Sequence, residues 1–349
     1  MNVLLTSVGR RTYLVEYFKK AVGEKGKVCV ANSSALSPAF AAADHAVVTP
    51  LIYDPEYIPF LKQYCQEQEI GMLVSLFDID LPVLAKHKKE FEEIGIQMVV
   101  SDYEAVEVCE DKVLMSIFLK ERNLKTPDCY LSVEEALDAI EQGELSYPVM
   151  IKPRWGMGSL AIYEAENEAE LRVLYEKSLR DINRSYLKYE AQADLAHAVM
   201  IQPKITGQEY GLDIINDLQG RYQTTIVKEK AAMRSGETDS ARVVEQPVLQ
   251  AVGEKAAGEL KHVGNLDMDV LLTREGDAYI IDMNARFGGG YPYSHMAGVD
   301  LPAALVAWAE KRPVNPELLK ARTGELYCKD IRMAKIQETN VWTLGNGCC

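Results

Sequence analysis

Asp282-Met283-Asn284-Ala285-Arg286-Phe287-Gly288-Gly289-Gly290 sets a carboxylate, an amide and a guanidinium at alternate positions of a strand that runs into a glycine loop. Side chains of a strand alternate faces, so Asp282 and Asn284 share one face, and Arg286 joins them if the chain stays extended. Just upstream, Ala278 to Ile281 is an apolar run that reads as buried strand. Leu266 to Thr273 reads as its partner, with Arg274-Glu275-Gly276-Asp277 as a four-residue hairpin loop. Pairing Thr273 with Ala278 puts Asp269 opposite Asp282 and Asp267 opposite Asn284. Opposed side chains stand about 4.5–5.5 Å apart at Cβ, where like charges destabilise the pair. A divalent cation removes that penalty, and oxygen ligands from Asp and Asn suit Mg²⁺ beside substrate phosphates. Asp269, Asp282 and Asn284 are therefore the candidate metal ligands. In this register Leu271 and Ile280 share the acid face, which argues against a freely solvated surface.

With 349 residues the chain exceeds what one hydrophobic core supports, so two or three subdomains are expected. Hydrophobic residues at 48% and charged residues at 26% describe an ordinary globular protein, and the net charge of −14 argues against nucleic-acid or anionic-membrane partners. A local basic site for phosphate stays compatible with that charge. No stretch is long and apolar enough to span a bilayer, and the N-terminus lacks a signal pattern. Seven cysteines, at 29, 65, 109, 129, 328, 348 and 349, form no Cys-x-x-Cys pair and suggest reduced thiols in the cytoplasm. The Cys348-Cys349 pair fits no lipidation signal and reads as part of a disordered tail.

The first hundred residues alternate strand and helix, a rhythm that implies βαβ units and an α/β domain with a parallel sheet. Val3 to Thr6 leads through Ser7-Val8-Gly9-Arg10-Arg11 into an amphipathic helix over residues 12–22. Gly9 opens a generic anion site at a helix start, but one glycine is not the three of a dinucleotide fingerprint. Arg10 and Arg11 either hold an anionic substrate or are solvated. Ser101-Asp102-Tyr103-Glu104 and Ser132-Val133-Glu134-Glu135 both fit capping boxes. Beyond Tyr147 the texture changes to strands joined by glycine-bearing loops. The expected division is 1–105, 106–190 and 191–349.

Val149 to Pro153 is a strand that carries Lys152, followed by Arg154-Trp155-Gly156-Met157-Gly158-Ser159 and a resumed strand from Leu160. No Walker loop is present. A glycine loop of this kind either folds over phosphates, with Lys152 meeting their charge, or forms an ordinary hairpin with a snorkelling lysine. Met200 to Asp213 reads as two strands around the Thr206-Gly207 turn. Pro203 frees neighbouring backbone groups for a purine edge. Lys228-Glu229-Lys230 ends another apolar strand.

In this order, the lysine and glycine loop, the Gly-x-Glu-Tyr segment and the closing Asp-x-Asn-x-Arg resemble the ATP-grasp superfamily. The stretch from Asn284 to Pro302 is similar to single-unit proteins related to the large chain of carbamoyl-phosphate synthase, and the resemblance covers nearly the whole chain. It implies an α/β leading domain followed by an α+β ATP-grasp fold of two subdomains that hold ATP between them. Lys112 and Lys152 would contact phosphates, with Lys228 also in the nucleotide site, and Gly156, Met157, Gly158 and Ser159 would form a lid. Gln202 and Lys204 would offer backbone groups to adenine and Glu209 would bind ribose. Asp269, Asp282 and Asn284 would hold Mg²⁺, two ions in number, with Mn²⁺ as an alternative. Arg286, with Lys152, would be catalytic by stabilising the transferring phosphoryl group. Gln202 stands where many relatives carry Glu, Ala285 replaces a common proline, and the glycine loop is shorter than in the synthase. The chain has one such unit where that synthase has two, which argues against carbamoyl phosphate synthesis itself.

The implied activity is ATP-dependent ligation of a small carboxylate to an amine. Carboxylate or carbamate phosphorylation without ligation, and a non-catalytic ATP-binding module, stay as alternatives. A homodimer is compatible with the sequence. The acceptor pocket is expected between the leading domain and the glycine-rich tail, with Arg10, Arg11, Tyr291 and His295 as candidates to line it.

Overall fold

A computed structural model describes residues 1–234 and 236–335, and the backbone of 341–342. Val3, Leu4 and Leu5 of β1 (Asn2–Thr6) are all fully buried, which marks a central strand covered on both faces. After α1 (Thr12–Val22) come β2 (Val28–Asn32), β3 (His45–Val48), α2 (Tyr57–Glu67), β4 (Ile70–Ser75), α3 (Asp80–Lys86), α4 (Lys88–Glu93) and β5 (Gln97–Val99). The strands pair in parallel in the order β3-β2-β1-β4-β5, as the alternating rhythm implies. Leu14, Val15 and Phe18 of α1 cover one face with Val3 and Leu5, and α2 and α3 cover the other with Leu4 and Cys29.

Two helices follow, α5 (Tyr103–Glu110) and α6 (Lys112–Glu121). Asp111 caps α6 by accepting from the Val113 and Leu114 N–H groups. The first capping box is not formed. Asp102 is the N-cap without a side-chain bond, and the Ser101 hydroxyl accepts instead from the Val263 N–H at 2.9 Å. The second start is right, since Ser132 accepts from Glu135 N–H ahead of α7 (Val133–Glu141). Next come β6 (Val149–Pro153), β7 (Tyr163–Ala165), α8 (Glu168–Arg184), α9 (Lys188–Ala191) and β8 (Val199–Pro203). These three strands form an antiparallel sheet in the order β7-β6-β8. Residues 159–161 are turn rather than strand, with Ser159 and Ala161 at φ 57° and 58°, so β7 starts only at Tyr163.

The second antiparallel sheet contains β9 (Gln208–Asn216), β10 (Tyr222–Arg234) and β11 (Glu237–Val244). After α10 (Pro247–Leu260) it adds β12 (Gly264–Leu272) and β13 (Ala278–Asn284). The short α11 (Tyr291–Met296), α12 (Leu301–Ala309) and β14 (Leu326–Cys328) complete it, in the strand order β13-β12-β9-β10-β11-β14. A further strand, β15 (Val341–Trp342), lies parallel to β3. β8 and β9, read from sequence as one hairpin, lie in different sheets, and the Thr206-Gly207 segment is the crossing between them. Gly207 is needed there because a Cβ would stand 2.6 Å from the Leu272 carbonyl oxygen. α12 packs back on α1 and shares its core cluster, which ties the chain's last third to its first. The fold is a parallel α/β unit followed by two antiparallel sheets, as the resemblance implied.

The decisive hairpin holds one surprise. Asp267 faces Asn284 and Asp269 faces Asp282 as expected, but Leu272, not Thr273, pairs with Ala278. A bulge makes Ile281 the extra residue. It also turns Ile280 to the core beside Met268, Val270 and Met283, so Ile280 does not share the acid face. Leu271 remains half-buried on that face.

Candidate active site

The bulge exposes a main-chain acceptor next to the acids. Lys152, from β6, donates to the Ile281 carbonyl at 3.3 Å. Lys112, at the start of α6, donates to Asp282 Oδ1 at 2.7 Å and to the Gly156 carbonyl at 3.0 Å. Arg154 forks the Asp111 carboxylate at 2.8 and 2.7 Å, so the residue that opens the glycine loop also fixes the helix carrying Lys112. Asn284 donates to Asp282 Oδ2 at 3.3 Å. Burial works against the Asp282 carboxylate, yet Lys112 and then Lys152 hold it below its ordinary range.

Burial, and next the neighbouring Lys112, lower Lys152 to about 8. If Lys152 meets a phosphate, as the sequence reading expects, the protonated amine is the binding form, and above the free value each binding event takes up a proton. The Kd for Mg·ATP is therefore expected to rise up to about tenfold per pH unit between about pH 8 and 9.5. Calorimetry checks this, with Lys152→Met flattening the slope.

Asp269 is paired with Lys230 at 2.7 Å, and Lys230 also reaches Glu209 at 2.6 Å. Burial pushes Asp269 up to about 6, with Asp267 and Asp282 adding like-charge repulsion against the pull of Lys230. The penalty expected for opposed acids is thus present. Arg286 is held in a fork by Asp78, Nε to Oδ1 at 2.8 Å and Nη2 to Oδ2 at 2.9 Å, and by Asp267 at 3.1 Å. Asp78 lies just past the carboxyl end of β4 in the parallel sheet. Sequence reasoning missed it, although an acid there was a signal, since ligands of open α/β sheets bind beyond that edge. Glu110, at the end of α5, was also missed. Burial and then Asp78 push its carboxyl well above the ordinary value.

Gly156, Met157, Gly158 and Ser159 form the β6–β7 loop. The tip of the β10–β11 hairpin rests on it, since a Cβ on Gly236 would stand 2.7 Å from Ser159. At the far end, Gln202 pairs with Met150 and donates its side-chain amide to Cys129. The Lys204 N–H is already taken by the Pro148 carbonyl at 3.3 Å, so this group is not on offer to a purine. The Lys204 amine is paired with Glu164 at the surface.

Lys228 corrects the sequence reading. It is 2% exposed and ion-paired with the fully buried Asp213, which also binds Ser294 and Asn265. A Cβ on Gly290 would lie 3.2 Å from its amine, so Lys228 is sealed beneath the glycine segment and takes no part in a nucleotide site. Tyr291 is likewise core, its hydroxyl donating to the Val299 carbonyl. His295 stacks on Tyr17 with ring centres 3.5 Å apart.

Gly288 has a sharper requirement. A Cβ would stand 2.1 Å from Asp267 Cγ, whereas on Gly289 the nearest atom is the Lys329 amine at 3.7 Å. Gly288→Ala is expected to displace Asp267 from Arg286 and destabilise by about 1–3 kcal/mol, with Gly289→Ala near neutral. Thermal melts of the two variants check the contrast.

Asp269, Asp282 and Asn284 therefore lie on one face with Lys112, Lys152 and Lys230 around them. Among the described residues no group of three or more His, Cys, Asp or Glu is placed to hold a metal ion. Two carboxylates and an amide suit a hard cation that takes its remaining ligands from phosphate and water. Among the described residues, no helix is long and apolar enough to cross a membrane.

Residues 3–99 match the family model of the PylC-like N-terminal domain, and residues 109–290, just over half the chain, match that of the ATP-grasp domain. The fold is similar to biotin carboxylase from Campylobacter jejuni, with a TM-score of 0.72 and 17% identity over 91% of this chain and 73% of that one. An N5-carboxyaminoimidazole ribonucleotide synthetase in complex with ADP aligns at TM-score 0.69 and 17% identity, over 90% of this chain and 78% of the other. L-amino acid ligase from Bacillus licheniformis aligns at 0.66 and 19%, over 93% and 78%. At these identities the likeness is one of fold. The family match rests on the very segment that carries Lys112, Lys152, the glycine loop and the acid hairpin, and by it this chain belongs to the ATP-grasp family.

Proposed function

We propose that the protein is an ATP-dependent ligase that activates a small carboxylate as an acyl-phosphate for attack by an amine. The observation that carries this is the meeting of Lys112, Lys152 and the Asp282–Asn284 pair at one bulge, from three separate elements. Phosphoryl transfer needs charge neutralisation and positioning more than covalent help, and this set supplies both. A substrate carboxylate oxygen attacks the γ-phosphorus and ADP leaves. The amine then attacks the acyl carbon, phosphate departs, and the amine nitrogen loses a proton.

In this reading Lys112 and Lys152 leave their present acceptors for the phosphates, and residues 156–159 cover them. Gln202 borders the adenine and Glu209 the ribose. Asp269, Asp282 and Asn284 hold Mg²⁺, two ions, for which Mn²⁺ can substitute. When bound, the metal would supply charge neutralisation at the phosphates. Arg286, clamped by Asp78 and Asp267, is a fixed positive charge beside the transferring group. The biotin carboxylase domain of a Hydrogenobacter thermophilus carboxylase, at 18% identity, is described as a dimer with MgADP and bicarbonate. A homodimer, and residence in the cytoplasm with its thiols reduced, complete the proposal, with units at 1–105, 106–190 and 191–349.

The test is ADP release from Mg·ATP over pools of carboxylates and amines. The ligase reading predicts release that requires both pools. Release with carboxylates alone, with an acyl-phosphate trapped by hydroxylamine, identifies a kinase instead. Tight ATP binding with no release over wide pools identifies a binding module.

A further inference from the structure

Arg11, near Arg286, is a cation with no partner among the described residues. It is the N-cap of α1, on a loop held by the Asn32 side chain at Gly9 N–H and by the Ser37 hydroxyl at the Gly9 carbonyl. Arg10 beside it is exposed, whereas Arg11 is half-buried and lies near Tyr13, Arg286, Asp78 and Glu237. Its guanidinium makes no hydrogen bond or ion pair with any described residue, and neither does the half-buried Tyr13 hydroxyl.

Each acid near Arg11 is engaged elsewhere. Asp78 forks Arg286, and Glu237 pairs with Lys329 at 3.2 Å. Arg286 itself donates its Nη2 to Asp78 and its Nη1 to Asp267 and the Phe287 carbonyl, with its Nε ion-paired with Asp78. A guanidinium has five N–H donors, and three of those of Arg286 are engaged in hydrogen bonds, whereas among the described residues none of those of Arg11 is. Burial is the largest influence lowering Arg11, and Arg286 adds to it. An anion placed between the two arginines relieves that repulsion.

Resting on the ligase reading, we propose that Arg11 and Tyr13 are the seat of the substrate carboxylate. Arg11 grips it in a bidentate fork, Tyr13 donates a third hydrogen bond, and Arg286 stands across the cleft as a fixed charge. The two arginines then have separate roles. Arg286 shapes the field, and Arg11 selects a planar, singly charged carboxylate.

Phenylglyoxal labelling of the full chain, read by peptide mass spectrometry with a non-hydrolysable ATP analogue and Mg²⁺ present, tests this. The probes are a pool of the proteinogenic amino acids, a pool of dicarboxylates, simple alkylamines and inorganic phosphate. Arg11 is expected to label faster than the doubly paired Arg286, and a saturating carboxylate pool is expected to slow Arg11 about tenfold. Amines and phosphate leave it unchanged. Arg11→Met is expected to raise KM for the carboxylate roughly 30-fold or more while the Kd for ATP stays as in wild type, with Arg11→Lys intermediate because it keeps charge and loses the fork. Equal labelling with and without both carboxylate pools overturns the seat, and so does protection by phosphate that matches protection by carboxylates. Protection of Arg11 without any ADP release by the wild type upholds the seat and removes the ligase reading.

Discussion

Asp282→Asn and Asn284→Ala each lower carboxylate-dependent ADP release by about 10²–10³-fold, or roughly 3–4 kcal/mol of transition-state stabilisation. The reason is electrostatic. Asp282 holds Lys112 in the ligand-free chain, and in the proposed complex it is freed to meet a cation as Lys112 turns to phosphate. Asparagine keeps the shape and removes the charge that both arrangements need. Asn284 donates to Asp282, and no described residue engages its amide oxygen, which leaves that oxygen for the cation. Asn284→Ala keeps its melting temperature close to wild type, whereas Asp282→Asn takes the carboxylate from the buried Lys112 amine and lowers Tm by a few degrees. Undiminished turnover in both variants contradicts the metal assignment.

Asp213→Ala has the largest expected effect on stability. It strips the partner from Lys228, a lysine 2% exposed under the glycine segment, and leaves a buried charge uncompensated. The expected cost is about 3–5 kcal/mol. In a chain of this size that lowers Tm by about 4–7 °C. The double variant Asp213→Ala/Lys228→Met removes both charges and is expected to regain about 2 kcal/mol or more. Lys228→Met alone leaves the ATP Kd within about threefold of wild type, because the amine faces the interior. A large loss of ATP affinity with little loss of stability would return Lys228 to the nucleotide site.

Much of this was written in local pattern. The βαβ rhythm implied the parallel sheet, and the two acid pairs form as read, although the turn that closes their hairpin is longer than the one expected. What periodicity cannot show is an irregularity within a strand. The bulge at Ile281 turns Ile280 to the core, creates the acceptor for Lys152 and offsets the longer turn, so that the acid pairs still form. Nor does sequence distance report which sheet a strand joins, hence the false hairpin of β8 and β9. Lys228 and Lys230 look alike as charged strand ends, and only the packing of Gly290 over one of them separates a buried ion pair from a cleft cation. Asp78 stands 208 residues from Arg286 in the chain, and no spacing rule links them.

The most direct test of an acyl-phosphate route is the fate of a carboxylate oxygen. With an ¹⁸O-labelled carboxylate pool, the amine pool and Mg·ATP, the attacking oxygen stays bonded to phosphorus when the amine displaces phosphate. The account predicts inorganic phosphate carrying one ¹⁸O per ADP formed, with the label lost in Asp282→Asn together with turnover. Unlabelled phosphate released in step with ADP would mean that water, not a carboxylate, attacks the nucleotide, and would contradict the ligase.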